Sequence, residues 1–286
     1  MSVKRKPSWL KIKLSGGENY RKVKKVVSDN QLHTICQSGN CPNMGECWGL
    51  GTATFMILGE ICTRSCKFCA THTGKPLPVD EKEPEKVARS VKLMKLKHCV
   101  ITSVDRDDLA DGGAEVWAKT IIAVKKKNPE TTIEVLLPDF MGKKEDLDKV
   151  LETRPDIAAH NLETVKRLTP QVRSAAKYER SLKVIERISL SGIKTKSGIM
   201  VGLGETFDEV METMQDLRDA GCEILTIGQY LQPSQLHLPV AEYIHPDVFA
   251  RYKEEGKKMG YTLVESNPLV RSSYHAEGDF RKISDA

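Results

Sequence analysis

No run of eighteen or more apolar residues occurs in these 286 residues, so no transmembrane helix and no membrane role are expected. The start, Met1-Ser-Val-Lys-Arg-Lys-Pro7, has no apolar h-region behind it, so no secretory signal is expected. No internal repeat and no low-complexity block appear, which removes repeat architectures. Aromatics are scarce in the basic first thirty residues, which hold only Trp9 and Tyr20. A nucleic-acid-binding module would place stacking aromatics among its basic residues, so no nucleic-acid partner is expected. Dispersed cysteines in a short chain, the mark of a disulfide scaffold, are also missing. The eight cysteines stand mostly in tight clusters, which points to metal ligation in a reducing compartment and to a cytoplasmic location.

What is present fits a folded α/β chain of one large domain or two small ones. Apolar residues make up 40% and charged residues 29%, enough for a real core. The net charge of +5 is uneven: residues 1–30 carry nine Lys/Arg against two acids, a net +7, which leaves −2 for the remainder. A basic arm of this kind points to an acidic partner surface, against the plainer reading of a solvated N-terminus.

Residues 1–50 show little periodicity. From Ala53 a βα alternation sets in. Strands are expected at 53–59, 99–104, 132–137, 156–160, 193–201 and 223–228. Helices are expected after Pro84 (with Val87, Val91 and Met94 on one face), over 113–127 and 144–152, in segments up to about 190, and after Thr206. Thr206-x-x-Glu209 has the form of a capping box. A helix near 246–259 and a short strand near 261–264 close the chain. Six βα units in about 180 residues predict a partial (β/α)6 TIM-like barrel with N-terminal and C-terminal extensions. The division expected is 1–50, 51–230 and 231–286. In such barrels chemistry sits at the C-terminal ends of the strands.

Two cysteine triplets carry the chemistry. Cys36, Cys41 and Cys47 have C-x4-C-x5-C spacing, and Cys62, Cys66 and Cys69 have C-x3-C-x2-C spacing. Each is one ligand short of the four thiolates that close a common iron–sulfur cluster. An iron without a cysteine can bind a substrate or cofactor, or be held weakly enough for the cluster to come apart. The second triplet starts just past the first strand, where a barrel active site belongs. Zinc, the competing metal, takes four ligands and usually paired C-x2-C spacing, which this loop lacks. Cys99 and Cys222 open apolar strand runs and read as core thiols.

The second triplet, with Phe68 before its last cysteine, resembles the radical S-adenosylmethionine signature. In that superfamily S-adenosylmethionine chelates the open iron, and an electron releases a 5′-deoxyadenosyl radical. Gly198-Ile-Met-Val-Gly-Leu-Gly-Glu205 resembles the superfamily's fifth-strand segment, which implies cofactor contacts for Met200 and Glu205. Asp111-Gly112-Gly113 stands where the superfamily has a glycine pair near the methionine amino group.

Over nearly its whole length the chain resembles the lipoyl synthase family. The resemblance runs through Gly39-Asn-Cys-Pro-Asn-Met-Gly-Glu-Cys-Trp48, Thr54-Phe-Met-Ile-Leu-Gly59, Thr102-Ser-Val-Asp-Arg-Asp-Asp-Leu-Ala-Asp-Gly-Gly113, His160-Asn-Leu-Glu-Thr-Val165, Gly228-Gln-Tyr-Leu-Gln-Pro-Ser234 and Val270-Arg-Ser-Ser-Tyr-His-Ala276. It implies two [4Fe–4S] clusters. Cys62, Cys66 and Cys69 would hold the radical-generating one. Cys36, Cys41, Cys47 and a serine of Arg271-Ser-Ser-Tyr274 would hold an auxiliary one that donates sulfur. Ser273 is the matching position, with Ser272 beside it as the alternative. An oxygen ligand is harder and more easily displaced than a thiolate, which suits a cluster that releases iron. Arg271 would position that loop. Asn161 and Glu163 would contact the ribose and methionine parts of the cofactor, and Arg173 its carboxylate, unless Arg173 is a solvated helix residue.

His160, His237 and His275 could be metal ligands, but as isolated histidines they read as structural. The implied reaction inserts sulfur at C6 and C8 of an octanoyl chain on a lysine of a lipoyl carrier domain. Two S-adenosylmethionine are consumed per lipoyl group. The carrier would be the acyltransferase subunit of a 2-oxoacid dehydrogenase, the glycine-cleavage carrier protein, or both. A reductant such as ferredoxin or flavodoxin and an iron–sulfur carrier for cluster repair are the other implied partners. Competing resemblances are biotin synthase, whose auxiliary ligands are scattered through the barrel, and the methylthiotransferases, which carry a β-rich C-terminal module.

Overall fold

In the computed structural model, residues 5–11, 16–274, 276 and 278 are described. The N-terminal extension holds α1 (Glu18–Asp29), β1 (His33–Thr34), α2 (Ile35–Ser38) and α3 (Met44–Gly49). Next come β2 (Thr54–Ile57), the short β3 (Ile61–Cys62) and β4 (His72–Thr73), α4 (Glu83–Met94), β5 (His98–Ser103), α5 (Ala114–Lys127), β6 (Thr132–Leu136), α6 (Lys144–Leu151) and β7 (Ile157–Ala159). The last third comprises α7 (Thr169–Val172), α8 (Tyr178–Leu190), β8 (Lys194–Val201), α9 (Phe207–Asp219), β9 (Ile224–Gln229), α10 (Pro246–Lys258) and β10 (Leu263–Ser266).

The main sheet runs β1-β2-β5-β6-β7-β8-β9-β10 and is parallel throughout except for β1, which pairs antiparallel to β2. It is the expected partial barrel, with one strand more. The closing strand expected near 261–264 lies at 263–266 and pairs in parallel with β9, which makes seven parallel strands. Its half-polar Leu-Val-Glu-Ser sequence, buried at alternate positions, gave only a weak apolar signal. The two edges, β1 and β10, stay apart, so the barrel is open.

Local chemistry sets the helices. Val87 and Val91 of α4 are fully buried, Met94 packs beside them, and Pro84 sits in the first turn, where its missing N–H costs nothing. Thr206 and Glu209 form the full capping box of α9. The N-terminal stretch differs from a solvated arm. Its α1 buries Val23 and Val27 and leaves Arg21, Lys22, Lys24 and Lys25 exposed. The apolar stripe is too narrow to stand out among the lysines in sequence. Lys4 and Lys13 lie outside the described residues.

β2, β5 and β9 are buried on almost every residue, as expected of parallel strands covered on both faces. Cys99 and Cys222 are fully buried thiols. A charged group is also sealed inside: Lys196 of β8 lies 2.7 Å from Glu134 of β6, whose other oxygen is 3.5 Å from His98 of β5. Among the described residues no helix is long and apolar enough to cross a membrane.

Candidate active site

The Cys62–Cys69 loop leaves the end of β2 and is tied down by Arg64. This guanidinium is almost fully buried and reaches Asp105 at 3.2 Å, Asp107 at 2.7 Å and Asp139 at 2.7 Å. The three aspartates stand beyond the ends of β5 and β6, so one arginine fastens the loop to two neighbouring strands. Burial alone would raise the Asp139 carboxyl. The neighbouring groups, Arg64 first and then His160 and Arg180, together outweigh that and hold it at about 2. Its second oxygen accepts from Arg180 at 2.7 Å.

The loop sulfurs are surrounded by donors. The backbone N–H groups of Arg64 and Asp105 donate to the Cys62 sulfur at 3.4 and 3.3 Å. Thr71 donates to Cys69 from both side chain and backbone. Cys66 lies 3.9 Å from the Ser174 hydroxyl. As free thiols Cys62 and Cys69 are shifted up, chiefly by burial, Cys62 to about 12. A metal that replaces the proton reverses this preference.

The first triplet is built by the short helices. Thr34 caps α2, which carries Cys36, and Cys47 sits in α3. The Cys41 N–H donates to the Cys36 carbonyl at 3.0 Å, which folds the intervening loop back. Burial pushes Cys47 up to about 12, with Cys36 and Cys41 close enough to add to the shift. The Trp48 indole N–H is buried with no hydrogen-bond partner of good geometry and lies beside Cys36, whose ionised form it favours. The Thr54 backbone N–H points at the same sulfur. Buried donors converging on sulfur suit thiolates, and so fit an iron–sulfur cluster. Among the described residues no three His, Cys, Asp or Glu side chains converge as a single-ion site would.

The C-terminal segment reaches this centre by crossing the barrel mouth. The Asn267 N–H donates to Ile227, the Gln229 N–H to Pro268, and the Asn43 side-chain amide to Leu269 at 2.7 Å. A Cβ at Gly228 would stand 2.1 Å from the Val270 carbonyl oxygen, so only glycine lets the segment pass. Ser273 then comes to rest against Thr54, whose hydroxyl donates to it at 2.8 Å.

One cavity of about 510 Å³ joins these parts. Cys62, Cys66, Cys69, Cys36, Cys41 and Ser273 all line it. So do Phe68, Asn161, Glu163, Arg173, Met200, Ser272 and Arg271. Cys47 faces a second cavity of about 320 Å³, which meets Cys36, Cys41, Arg271 and Ser273 from the other side.

Glu163 is half-buried, in the left-handed region at φ 70°, braced by backbone hydrogen bonds to Gly198 and Met200. Burial raises its carboxyl, which accepts from the Asn161 amide at 3.1 Å. Arg173 is buried rather than solvated, and donates to the Leu162 carbonyl and to Ser181 at 2.9 Å. Burial pulls Arg271 below the ordinary guanidinium range, with Cys41 opposing that shift.

Three expected residues stand elsewhere. Gly112 and Gly113 form the turn before α5, where Asp111 accepts from the Gly113 N–H and a Cβ on Gly113 would meet Leu58 at 2.5 Å. Glu205 folds back onto the Gly202 and Leu203 N–H groups. None of the three lines the cavity. His160 bonds Leu137 and Ser181, and His237 bonds Ser234 and the Cys69 carbonyl. His275 is outside the described residues. Sequence reading missed Arg64, Thr54 and Trp48 as parts of the site, although all three stand inside or beside the quoted motifs.

Comparison with known proteins agrees with this geometry. The family model for the Radical SAM superfamily matches residues 56–217, and that for the N-terminal domain of lipoyl synthase matches residues 1–41. The lipoyl synthase of Bacteroides fragilis strain YCH46 is 64% identical over 97% of this chain and 96% of its own. The mitochondrial lipoyl synthase of Nematostella vectensis is 60% identical over 95% and 94%.

The chain belongs to the lipoyl synthase family.

As a lipoyl synthase family member it is a sulfur-inserting radical enzyme that uses S-adenosylmethionine and two [4Fe–4S] clusters. In fold it is similar to Streptococcus suis SuiB bound to S-adenosylmethionine, with TM-score 0.61 and 12% identity, covering 75% of this chain and half of that one. It is also similar to methylornithine synthase, with TM-score 0.56 and 11% identity, covering 87% and 79%.

Proposed function

We propose that Cys62, Cys66 and Cys69 hold the radical-generating cluster and that Cys36, Cys41, Cys47 and Ser273 hold the auxiliary one. The observation that carries this reading is the single cavity bounded by both cysteine loops and by Ser273. When bound, the clusters and S-adenosylmethionine supply the electron, the hydrogen-abstracting radical and the sulfide. Saturated C–H bonds at C6 and C8 of an octanoyl chain need such a radical, because acid–base chemistry does not reach them.

The chain's own residues bind and orient. Asn161, Glu163 and Arg173 present an amide, a carboxylate and a guanidinium on one wall, a set suited to the polar parts of S-adenosylmethionine. Met200 and Phe68 offer apolar surface beside them. Arg271 stands at the cysteine loop and holds the Arg271-Ser-Ser-Tyr274 turn.

The substrate in this reading is an octanoyl-lysine of a lipoyl carrier domain, from a 2-oxoacid dehydrogenase acyltransferase subunit or the glycine-cleavage carrier protein. The exposed Arg5, Lys6, Arg21, Lys22, Lys24 and Lys25 support attraction of an acidic carrier face, with Lys6 at the cavity wall. Ser65 and Lys67 leave the Cys66 side of the loop open to solvent, which supports reduction by an outside donor such as ferredoxin or flavodoxin. An iron–sulfur carrier would rebuild the auxiliary cluster between turnovers. The clustering of six of the eight cysteines in two ligand-like triplets supports a reducing, cytoplasmic setting.

The test is anaerobic incubation of the reconstituted protein with dithionite, S-adenosylmethionine and an octanoyl-lysine peptide, read by mass spectrometry. Two added sulfurs with 5′-deoxyadenosine are expected. With Cys41→Ala, 5′-deoxyadenosine should still form while sulfur transfer stops. Sulfur transfer persisting in that variant would overturn the assignment of the auxiliary ligands.

A further inference from the structure

We propose that Thr54 is a positioning residue for the auxiliary centre, its hydroxyl holding the Ser273 oxygen toward Cys36, Cys41 and Cys47. This rests on the reading of Ser273 as the fourth ligand and adds the residue that places it. Serine and its neighbour Ser272 both line the large cavity, so lining alone does not choose between them. The hydrogen bond does: the Thr54 hydroxyl donates to the Ser273 oxygen at 2.8 Å, across 219 residues of sequence.

The geometry makes Thr54 a stiff anchor. It begins β2, which is held between β1 and β5, and only 6% of its surface is exposed. A β-branched side chain has few χ1 choices, so its hydroxyl has little freedom to move. Ser273, in contrast, stands on a half-buried turn, and an unheld serine samples three staggered positions. A hydroxyl oxygen has two lone pairs, so accepting from Thr54 leaves one free for a metal.

The same residue also touches the other end of the ligand set, through its backbone N–H to the Cys36 sulfur. A buried threonine on a strand can satisfy its hydroxyl on a nearby carbonyl. Thr54 instead reaches a side chain on the C-terminal extension. The serine position is therefore set from the barrel strand, while the turn that carries it is held by Asn43 and Gly228.

The experiment measures iron release from the loaded full chain to a ferrous chelator, anaerobically, with S-adenosylmethionine present. Ser273→Ala and Ser272→Ala identify which serine holds the auxiliary iron. Thr54→Val keeps shape and removes the donor, and Thr54→Ser keeps the donor. Thr54→Val should release iron roughly five- to tenfold faster, the worth of one ordinary hydrogen bond, with Thr54→Ser within about twofold of the unaltered chain. Thr54→Val combined with Ser273→Ala should be no faster than Ser273→Ala alone.

If Ser273→Ala releases iron at the unaltered rate, the ligand reading falls and this inference with it. If Ser273→Ala is fast and Thr54→Val is unchanged, the ligand reading stands and the role of Thr54 is overturned. Thr54→Ser as fast as Thr54→Val, or additive effects in the double variant, would also overturn it.

Discussion

The Arg64 guanidinium donates to Asp139 at 2.7 Å, although 75 residues separate them and neither ligates metal in this reading. Through that bond and those to Asp105 and Asp107, the loop between Cys62 and Cys66 is fixed to the ends of two barrel strands. Arg64→Lys keeps a positive charge but loses the planar fork that serves three carboxylates. Reconstituted Arg64→Lys should hold about one cluster's iron instead of two, and its reductive cleavage of S-adenosylmethionine should fall at least about tenfold. Iron content and 5′-deoxyadenosine yield check this. Two full clusters in the variant would show that the loop is set by its backbone alone.

Acid should weaken the fold in two steps. His160 is fully buried, and desolvation, helped by Arg173, lowers it from 6.5 to about 4. The unfolded chain therefore takes up a proton below about pH 6.5, while the folded one resists until about pH 4. More protons on the unfolded side means that stability falls as pH drops through this window, by about 2 kcal/mol between pH 7 and 5. Asp139 acts lower down. Its depressed carboxyl contributes full stability above about pH 4, lost as pH falls toward about 2. Urea unfolding at pH 7 and 5 should show the first loss, and His160→Gln, which can still bond Leu137 and Ser181, should show less of it.

The buried Lys196–Glu134 pair gives a third expectation. Burial opposes the Glu134 charge, but Lys196 and His98 together outweigh it and hold the carboxyl below its usual range. Removing one partner strands a charge in the core. Lys196→Met should cost about 3–5 kcal/mol, while Lys196→Met with Glu134→Gln should recover a large part of that. Equilibrium unfolding checks both. A single variant as stable as the double would mean that water reaches Glu134.

The cysteine triplets stood out because their members are close in sequence, and the strand order because parallel strands are written as short apolar runs. The serine was legible only through its motif. Nothing local to Arg271-Ser-Ser-Tyr274 says which barrel strand it will meet. Thr54 and Trp48 escaped for the same reason: a threonine opening a buried strand and a tryptophan ending a short helix look like core until the fold places Ser273 and Cys36 beside them. Gly112 and Gly113 carry a demand that the motif did not reveal: a left-handed turn at both and the close approach of Leu58 to Gly113.

Gly228 ties the barrel to the auxiliary centre. Its neighbours 2.1 and 3.2 Å from an added Cβ are the Val270 carbonyl oxygen and an Arg271 nitrogen, and the first is backbone that cannot swing aside. Gly228→Ala must therefore lift the segment that carries Ser273, or strain β9, which is hydrogen-bonded on both sides. Overpacking of this kind costs about 1–3 kcal/mol, a loss that a chain of this size can survive. The folded variant should keep the Cys62–Cys69 cluster and still form 5′-deoxyadenosine, because that loop is tied to Asp105, Asp107 and Asp139 rather than to the C-terminal segment. Its auxiliary iron should be lost to a chelator as fast as in Ser273→Ala. If instead both clusters are lost together, the lifted segment supports the whole cavity rather than one end of it. Equal retention of both would mean that Ser273 reaches its place without passing over Gly228.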